Sequence, residues 1–280
     1  MSNNICIITG ANSGIGKATA LGLAKMGAHI VMVCRSEERG LVAQEDIKTQ
    51  SGNQSIDLLL ADLSSQQEIR DLVTEFKQKY SQLHVLINNA GIILPKRTFT
   101  VDGIETVFAV NHLAPFLLTN LLLDVLKASA PARIITVSSR THSGKIDFDN
   151  LQMEKRFSLF KSYGQSKLGN ILFTYELARR LDGTGVTANC LHPGGVRTNF
   201  GKDLTGIFRI GMIVAGRFLK SPKKGARTSI YLASSPDVEG VTGKYFMAKK
   251  EVKSSKISYD ESVAKRLWDI SAELVKLKQD

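Results

Sequence analysis

The sequence predicts an α/β fold: a mostly parallel sheet of about seven strands with helices on both faces. Two observations carry that prediction. Short, almost wholly apolar, β-branched runs recur from end to end of the chain, as strands buried on both sides require. The segments between them repeat apolar residues at helical spacing. A third observation locates the ligand-binding end, because the run TGANSGIG (Thr9 to Gly16) stands between the first strand and the first helix.

The elements follow in order. Strands are expected at Ile5–Thr9, Ile30–Cys34, Ser55–Leu60, Val85–Asn88, Arg133–Ser138, Val186–Leu191 and Lys244–Met247. Helices are expected at Ala18–Met26, Gln66–Tyr80, Ile104–Lys127 and Tyr163–Leu181. Such alternation describes a doubly wound, Rossmann-type sheet whose ligands sit beyond the carboxyl ends of the strands. No repeat, low-complexity tract or linker divides residues 1–280, so they read as a single domain. Two segments break the rhythm. Arg140–Ser162 is a long polar connection, and Thr198–Ser221 intervenes after Pro193-Gly194-Gly195; both are expected over the ligand-binding end.

Composition narrows the functional class. A chain of 280 residues can bury about 73% of its unfolded surface without disulfide staples. Cys6, Cys34 and Cys190 are too few and too scattered for a disulfide framework or a zinc cluster, which points to a reducing, cytoplasmic compartment. The N-terminus enters its first strand without a secretion signal, and no apolar run reaches the roughly 20 residues of a membrane helix. The net charge of +11 is local. Residues 1–140 hold 13 basic and 12 acidic side chains, and residues 197–256 hold 13 against 4. One basic stretch therefore stands out, and nucleic acid, an anionic membrane surface and a solvated face compete to explain it. No series of base-stacking aromatics accompanies it, so nucleic acid ranks low.

In the glycine-rich turn, Gly10, Gly14 and Gly16 permit a tight βα connection, with Asn12, Ser13 and Ile15 between them. Glycines there let backbone N–H groups approach a pyrophosphate, and the helix N-terminus adds partial positive charge. A dinucleotide is the expected ligand. Its identity rests on the end of the second strand, where an NAD-binding protein places a carboxylate for the ribose 2′-hydroxyl. Here Cys34 and Arg35 stand instead, and a guanidinium suits a 2′-phosphate, so NADP(H) is expected. Lys17 is a candidate helper near the phosphates. The competing reading pairs Arg35 with Glu37 or Glu38.

The catalytic candidates are a tyrosine and a lysine four residues apart. Two such pairs occur, Tyr163/Lys167 and Tyr245/Lys249. Tyr245 lies in a strand pattern, where residues four apart stand about 13 Å from each other. Tyr163 opens a helical pattern, where the same spacing makes neighbours about 5–6 Å apart. Only the second geometry lets an ammonium favour the phenolate of a group whose free pKa is about 10. Tyr163 then exchanges a proton with a carbonyl or alcohol oxygen. Ser139, at the end of the fifth strand, hydrogen-bonds that oxygen as charge develops.

With TGANSGIG, Asn88-Asn89-Ala90-Gly91, Asn111, Ser139, Tyr163-x3-Lys167 and Pro193-Gly194 in this order, the chain resembles the short-chain dehydrogenase/reductase family over essentially its whole length. VCRSEERG (Val33 to Gly40), LGNILFTYELARRL (Leu168 to Leu181), Leu191-His192-Pro193-Gly194 and Ala264 to Trp268 resemble its retinol dehydrogenase-like branch most. The resemblance implies an NADP(H)-dependent interconversion of a carbonyl and an alcohol, as in a carbonyl reductase. It makes Tyr163 the acid/base and gives Lys167 the nicotinamide ribose and the lowering of the tyrosine pKa. It has Ser139, rather than Ser138, position the substrate oxygen, and Asn111 hold a water in a proton relay. Asp62 and Leu63 match adenine-side contacts, Asn89, Ala90 and Gly91 line the cofactor, and Pro193 and Gly194, with Val196 beyond them, border the nicotinamide. Homodimers in the family often form through the helices corresponding to Ile104–Lys127 and Tyr163–Leu181.

Residues 198–221 stand where the family carries a substrate lid. Ile207, Phe208, Ile210, Met212, Ile213, Val214 and Phe218 make that segment apolar, which suits a lipophilic aldehyde, ketone or alcohol. The basic excess flanks it, as a solvated face or as a rim resting on anionic lipid. His142 and His192 have no metal ligands at suitable spacing and are assigned structural or supporting roles; no metal is expected. Trp268 is expected to anchor the last helix. The rival reading is an NADPH-binding sensor or scaffold without turnover.

Overall fold

A computed structural model describes residues 1–142, 144–196 and 220–277. The proposed lid at 198–221 therefore lies, apart from Lys220 and Ser221, outside the described residues. One sheet organises the chain. Its strands are β1 (Ile5–Thr9), β2 (His29–Cys34), β3 (Ile56–Leu60), β4 (Val85–Asn88), β5 (Ala132–Val137), β6 (Val186–His192), β7 (Tyr245–Met247) and β8 (Lys250–Glu251). They lie in the order β3-β2-β1-β4-β5-β6-β7-β8. All pairs are parallel except β7 with β8. The eighth strand exceeds the expected seven. It is a two-residue exposed edge reached through a tight turn at Ala248 and Lys249, and so carries no apolar run to announce it.

Alternation along each strand sorts the core into two layers. Ile7, Val31, Val33, Leu59, Leu86 and Ile134 face one side, while Cys6, Ile8, Ile30, Met32, Ile56, Val85, Ile87 and Ile135 face the other. Helices α1 (Gly14–Ala24) and α2 (Glu37–Ser51) connect the first three strands, and α3 (Gln66–Lys79) follows β3. Ser36 and Ser65 cap α2 and α3 by accepting from the N–H groups of Arg39 and Glu68, as short polar side chains do at helix starts.

The expected helix Ile104–Lys127 is not continuous. A helical turn at Thr106–Phe108 runs into a π turn at Ala109–Leu113, then into α4 (Ala114–Leu121) and, past a break at Leu122, α5 (Leu123–Ala128). The next helix, α6 (Leu159–Arg180), starts four residues before Tyr163, behind Ser158 in extended conformation. The chain then reaches β6, α7 (Pro222–Ser234) and α8 (Glu261–Leu274). α8 lies over α6 and the π turn. Trp268 packs on Phe116 and Phe173, Arg180 stacks on the Trp268 ring, and Ser271 bonds the buried His112. The two segments to which the resemblance gives a dimer contact thus each meet the C-terminal helix, at His112 and Phe116 in one and at Phe173 and Arg180 in the other.

Candidate active site

The strand order switches from one side of β1 to the other at β4, with the two strands still parallel, and a groove of about 520 Å³ opens at the carboxyl ends of the strands there. Gly10, Asn12, Ser13, Gly14, Ile15, Gly16, Arg35, Asp62, Leu63, Asn89, Ala90 and Gly91 all line it. These twelve are the expected cofactor residues from the first half of the chain.

Local physics explains the shape of the turn. Gly10 (φ +66°) and Gly14 (φ +57°) hold left-handed backbone, which glycine adopts without steric cost. A Cβ on Gly16 would lie 2.3 Å from the Gly10 carbonyl oxygen and 2.5 Å from Asn89 Nδ2, so only glycine fits. Asn89 and Thr9 lock the turn to β4. Asn89 donates through Nδ2 to the Thr9 carbonyl (2.8 Å), and the Asn89 and Ala90 N–H groups donate to Thr9 Oγ1 (2.9 and 3.0 Å). Unlike α2 and α3, α1 has no side-chain cap at Ser13 and no acidic residue in its first turn. Its leading N–H groups are left to an anion in the groove. A dinucleotide phosphate fits this cradle.

At the other end of the groove Arg35 extends into solvent, 76% exposed, and pairs loosely with Asp62 at 3.6 Å rather than with Glu37 or Glu38. Arg39, one helical turn further on, lines the same groove and was not anticipated. Nothing in the local pattern marks it, because Glu37 and Glu38 already place negative charge in the same helical turn. Lys17, expected near the phosphates, turns away and pairs with Asp46 on α2 at 2.7 Å.

Beyond Gly91 the groove meets the catalytic candidates. A Cβ on Gly91 would sit 3.3 Å from both Asn111 Oδ1 and Lys167 Nζ. Asn111 lies in the π turn and is fully buried. Its side chain accepts from Ile92 N–H (2.7 Å) and donates to the Ile92 carbonyl and Ser166 Oγ. Glu105 caps the turn before it through the N–H groups of Val107 and Phe108 and accepts from Ser162, which precedes Tyr163. Burial pushes the Glu105 carboxyl up.

Lys167 is buried and donates to the Val137 carbonyl at 3.0 Å, with Nζ 5.8 Å from the centre of the Tyr163 ring. Desolvation lowers its pKa to about 8. Tyr163 keeps part of its surface exposed, yet its hydroxyl is enclosed closely enough for burial to push it up to about 12, against a lowering by its hydrogen bond with Ser139. Within the chain's own residues, burial thus outweighs the lowering that the Tyr-to-Lys spacing suggested. Ser138 and Ser139 differ. Ser138 donates to the Lys167 carbonyl (2.7 Å), whereas Ser139 Oγ accepts from Thr141 N–H (3.1 Å) and meets Tyr163.

The remaining expected residues lie on the β6 side. Arg140 N–H donates to His192 Nδ1 (3.2 Å), which sets the end of β5 beside Pro193 and Gly194. Burial first, then Arg140 and Lys220, lower His192 to about 4. Gly194 (φ +93°) lies under the Lys220 side chain, and Val196 bridges to Lys220 and packs beside Ile15 against Gly225. The second Tyr-to-Lys pair does not meet: Lys249 reaches the Tyr231 ring instead.

A family model described as short chain dehydrogenase matches residues 4–206. Human retinol dehydrogenase 14 is 46% identical, with 99% of this chain and 88% of that protein covered. Among solved structures, an uncharacterized protein from Mycobacterium paratuberculosis superposes with a TM-score of 0.79 at 33% identity, covering 98% of this chain and 94% of that one. The NADP complex of RhlG from Pseudomonas aeruginosa superposes with a TM-score of 0.71 at 25% identity, covering 88% and 95%.

Proposed function

The chain belongs to the short chain dehydrogenase family and is an oxidoreductase of alcohol and carbonyl groups; on that premise we propose that it reduces a lipophilic aldehyde or ketone with NADPH, and runs the reverse oxidation with NADP+. The observation that carries the reading is the meeting of the Tyr163 and Ser139 hydroxyls beside Lys167, at the end of a groove that holds two arginines at its far end.

The nicotinamide cofactor, when bound, supplies the hydride. Tyr163, whose phenol holds its proton across the neutral range, gives that proton to the carbonyl oxygen as negative charge builds there. Ser139 donates a hydrogen bond to the same oxygen, which is worth most in a site shielded from water. Lys167 orients the cofactor ribose and offers an ammonium near the developing charge. Asn111, bonded to the Ile92 peptide, keeps the adjoining wall in place. Arg35 and Arg39 support NADP(H) over NAD(H), because a 2′-phosphate neutralises both.

The apolar stretch from Ile207 to Phe218 supports a lipophilic substrate, and the relationship to retinol dehydrogenase 14 makes retinoids the first class to try. Among the described residues no helix is long and apolar enough to cross a membrane. A cytoplasmic enzyme, meeting anionic lipid peripherally through the basic stretch at 197–256 or keeping that stretch solvated, completes the proposal. The test is a panel of retinaldehydes, aliphatic aldehydes and ketones with NADPH, followed by loss of nicotinamide absorbance. Turnover of an apolar member supports the reading. Tight NADPH binding without turnover of any carbonyl would favour a silent sensor or scaffold.

A further inference from the structure

We infer that His142 and Tyr245 are positioning residues for the reaction: together they clamp the main-chain carbonyl of Ser139 and so hold the Ser139 hydroxyl against Tyr163.

Ser139 lies beyond the sheet. The β5 ladder ends at Val137, and the last bond to β6 is donated by Ser138 N–H to the Leu191 carbonyl (2.8 Å). The next peptide needs another anchor, because a residue past the ladder has no strand partner to fix its orientation. Two side chains provide it. His142 Nδ1 donates to the Ser139 carbonyl at 2.6 Å, and the Tyr245 hydroxyl donates to the same oxygen at 3.2 Å. The two rings meet edge to face at 5.2 Å, and both side chains are buried.

The tautomer of His142 follows from its other nitrogen. Ser255 N–H donates to Nε2 (3.1 Å), so Nε2 is the acceptor and Nδ1 carries the proton that reaches Ser139. Ser255 is itself tethered. Its hydroxyl donates to the His142 carbonyl (3.4 Å), and the preceding Ser254 shares a hydrogen bond with the Tyr175 hydroxyl on α6 (2.8 Å). The helix that carries Tyr163 is therefore linked through residues 254–255 and His142 to the peptide that carries Ser139. The clamp closes a loop of contacts around the two reacting hydroxyls without itself touching the substrate oxygen.

This inference rests on the roles proposed above for Ser139 and Tyr163, and the experiment separates the two. The probe is the aldehyde turned over fastest in the panel, with NADPH affinity measured by nicotinamide fluorescence. An asparagine amide places its nitrogen where Nδ1 stands, whereas a glutamine amide reaches toward Nε2. His142→Ala is expected to lower kcat by about 10- to 100-fold, the penalty of misplacing a reacting group by up to 1 Å. The KM and NADPH affinity stay near those of the parent protein. His142→Asn restores most of kcat and His142→Gln does not. Tyr245→Phe has a smaller effect, and the double variant His142→Ala/Tyr245→Phe costs less than the product of the two, since both act on one carbonyl. Equal recovery by Asn and Gln, or an unchanged kcat in folded His142→Ala, would overturn the inference. Full activity in Ser139→Ala and Tyr163→Phe would instead overturn the underlying reading.

Discussion

Ser138 donates its hydroxyl to the main-chain carbonyl of Lys167 at 2.7 Å, across 29 positions of sequence. That bond and the one from Lys167 Nζ to the Val137 carbonyl (3.0 Å) tie the end of β5 to α6. The division of labour between adjacent serines follows. Ser138 joins strand to helix, and the Ser139 hydroxyl is turned toward Tyr163.

Cofactor choice is expected to rest on Arg35 and Arg39. Each exposed guanidinium that loses a phosphate partner gives up a charge-assisted contact, about 10-fold in affinity at the low end. Arg35→Asp, and separately Arg39→Ala, should lower kcat/KM for NADPH while leaving that for NADH level or higher, with thermal stability unchanged. An NADPH-to-NADH ratio that does not move in Arg35→Asp removes that residue from cofactor selection.

The alkaline side of the pH profile is expected to belong to Lys167. Its ammonium is destabilised by burial and titrates at about 8, while Tyr163 stays protonated toward about 12. Between those values the site loses its positive charge before the phenol loses its proton. Thus kcat/KM for NADPH, which reports the free enzyme, should fall as pH rises through about 8. A flat profile to pH 10 would show that the ammonium is not required.

Acid sensitivity is expected from His112, fully buried between the π turn and α8 and held at about 4 by desolvation. The unfolded chain takes up this proton near 6.5, so it binds more protons than the native state between the two values. Stability is therefore complete above the unfolded pKa and lost as pH falls toward 4, by about 3 kcal/mol from this group. His192 acts in the same direction. Urea unfolding at neutral and acidic pH should show a shallower acid loss in His112→Gln, whose amide can still meet Ser271.

Helix α8 is expected to act as a cover. Leu267, Trp268 and Ala272 bury against the layer that includes Phe116 and Phe173 on α4 and α6. The chain of 280 residues should sediment as a monomer of 30.7 kDa, and removal of residues 260–280 should produce self-association through the helices that α8 contacts. A full-length dimer cross-linked through α4 and α6 would contradict this.

Much of the fold was legible because it is encoded locally. β1 and β4 fall on the expected residues, since apolar runs there end sharply at Gly10 and at Asn89. The pairing of Tyr163 with Lys167 followed from helical spacing. Lys249 does stand apart from Tyr245, but because β7 ends at Met247 and Lys249 lies in the turn beyond it rather than further along an extended strand. The π turn at Asn111 was not legible, because an i to i+5 bond leaves no mark on a pattern of 3.6-residue period. Nor was the start of α6, hidden where Ser158 ends a long polar connection. The orientation of Lys17 toward Asp46 and the clamp on Ser139 depend on residues far apart in sequence, which only the packed chain brings together.

The central claim is that the Tyr163 hydroxyl transfers the proton in a carbonyl reduction driven by NADPH. Tyr163→Phe deletes that one atom and keeps the ring. In the variant, NADPH should bind with the affinity of the parent protein while reduction of the best aldehyde falls by about 100-fold or more, the scale of general acid catalysis. Reduction within a few-fold of the parent rate, with NADPH bound normally, would contradict the account.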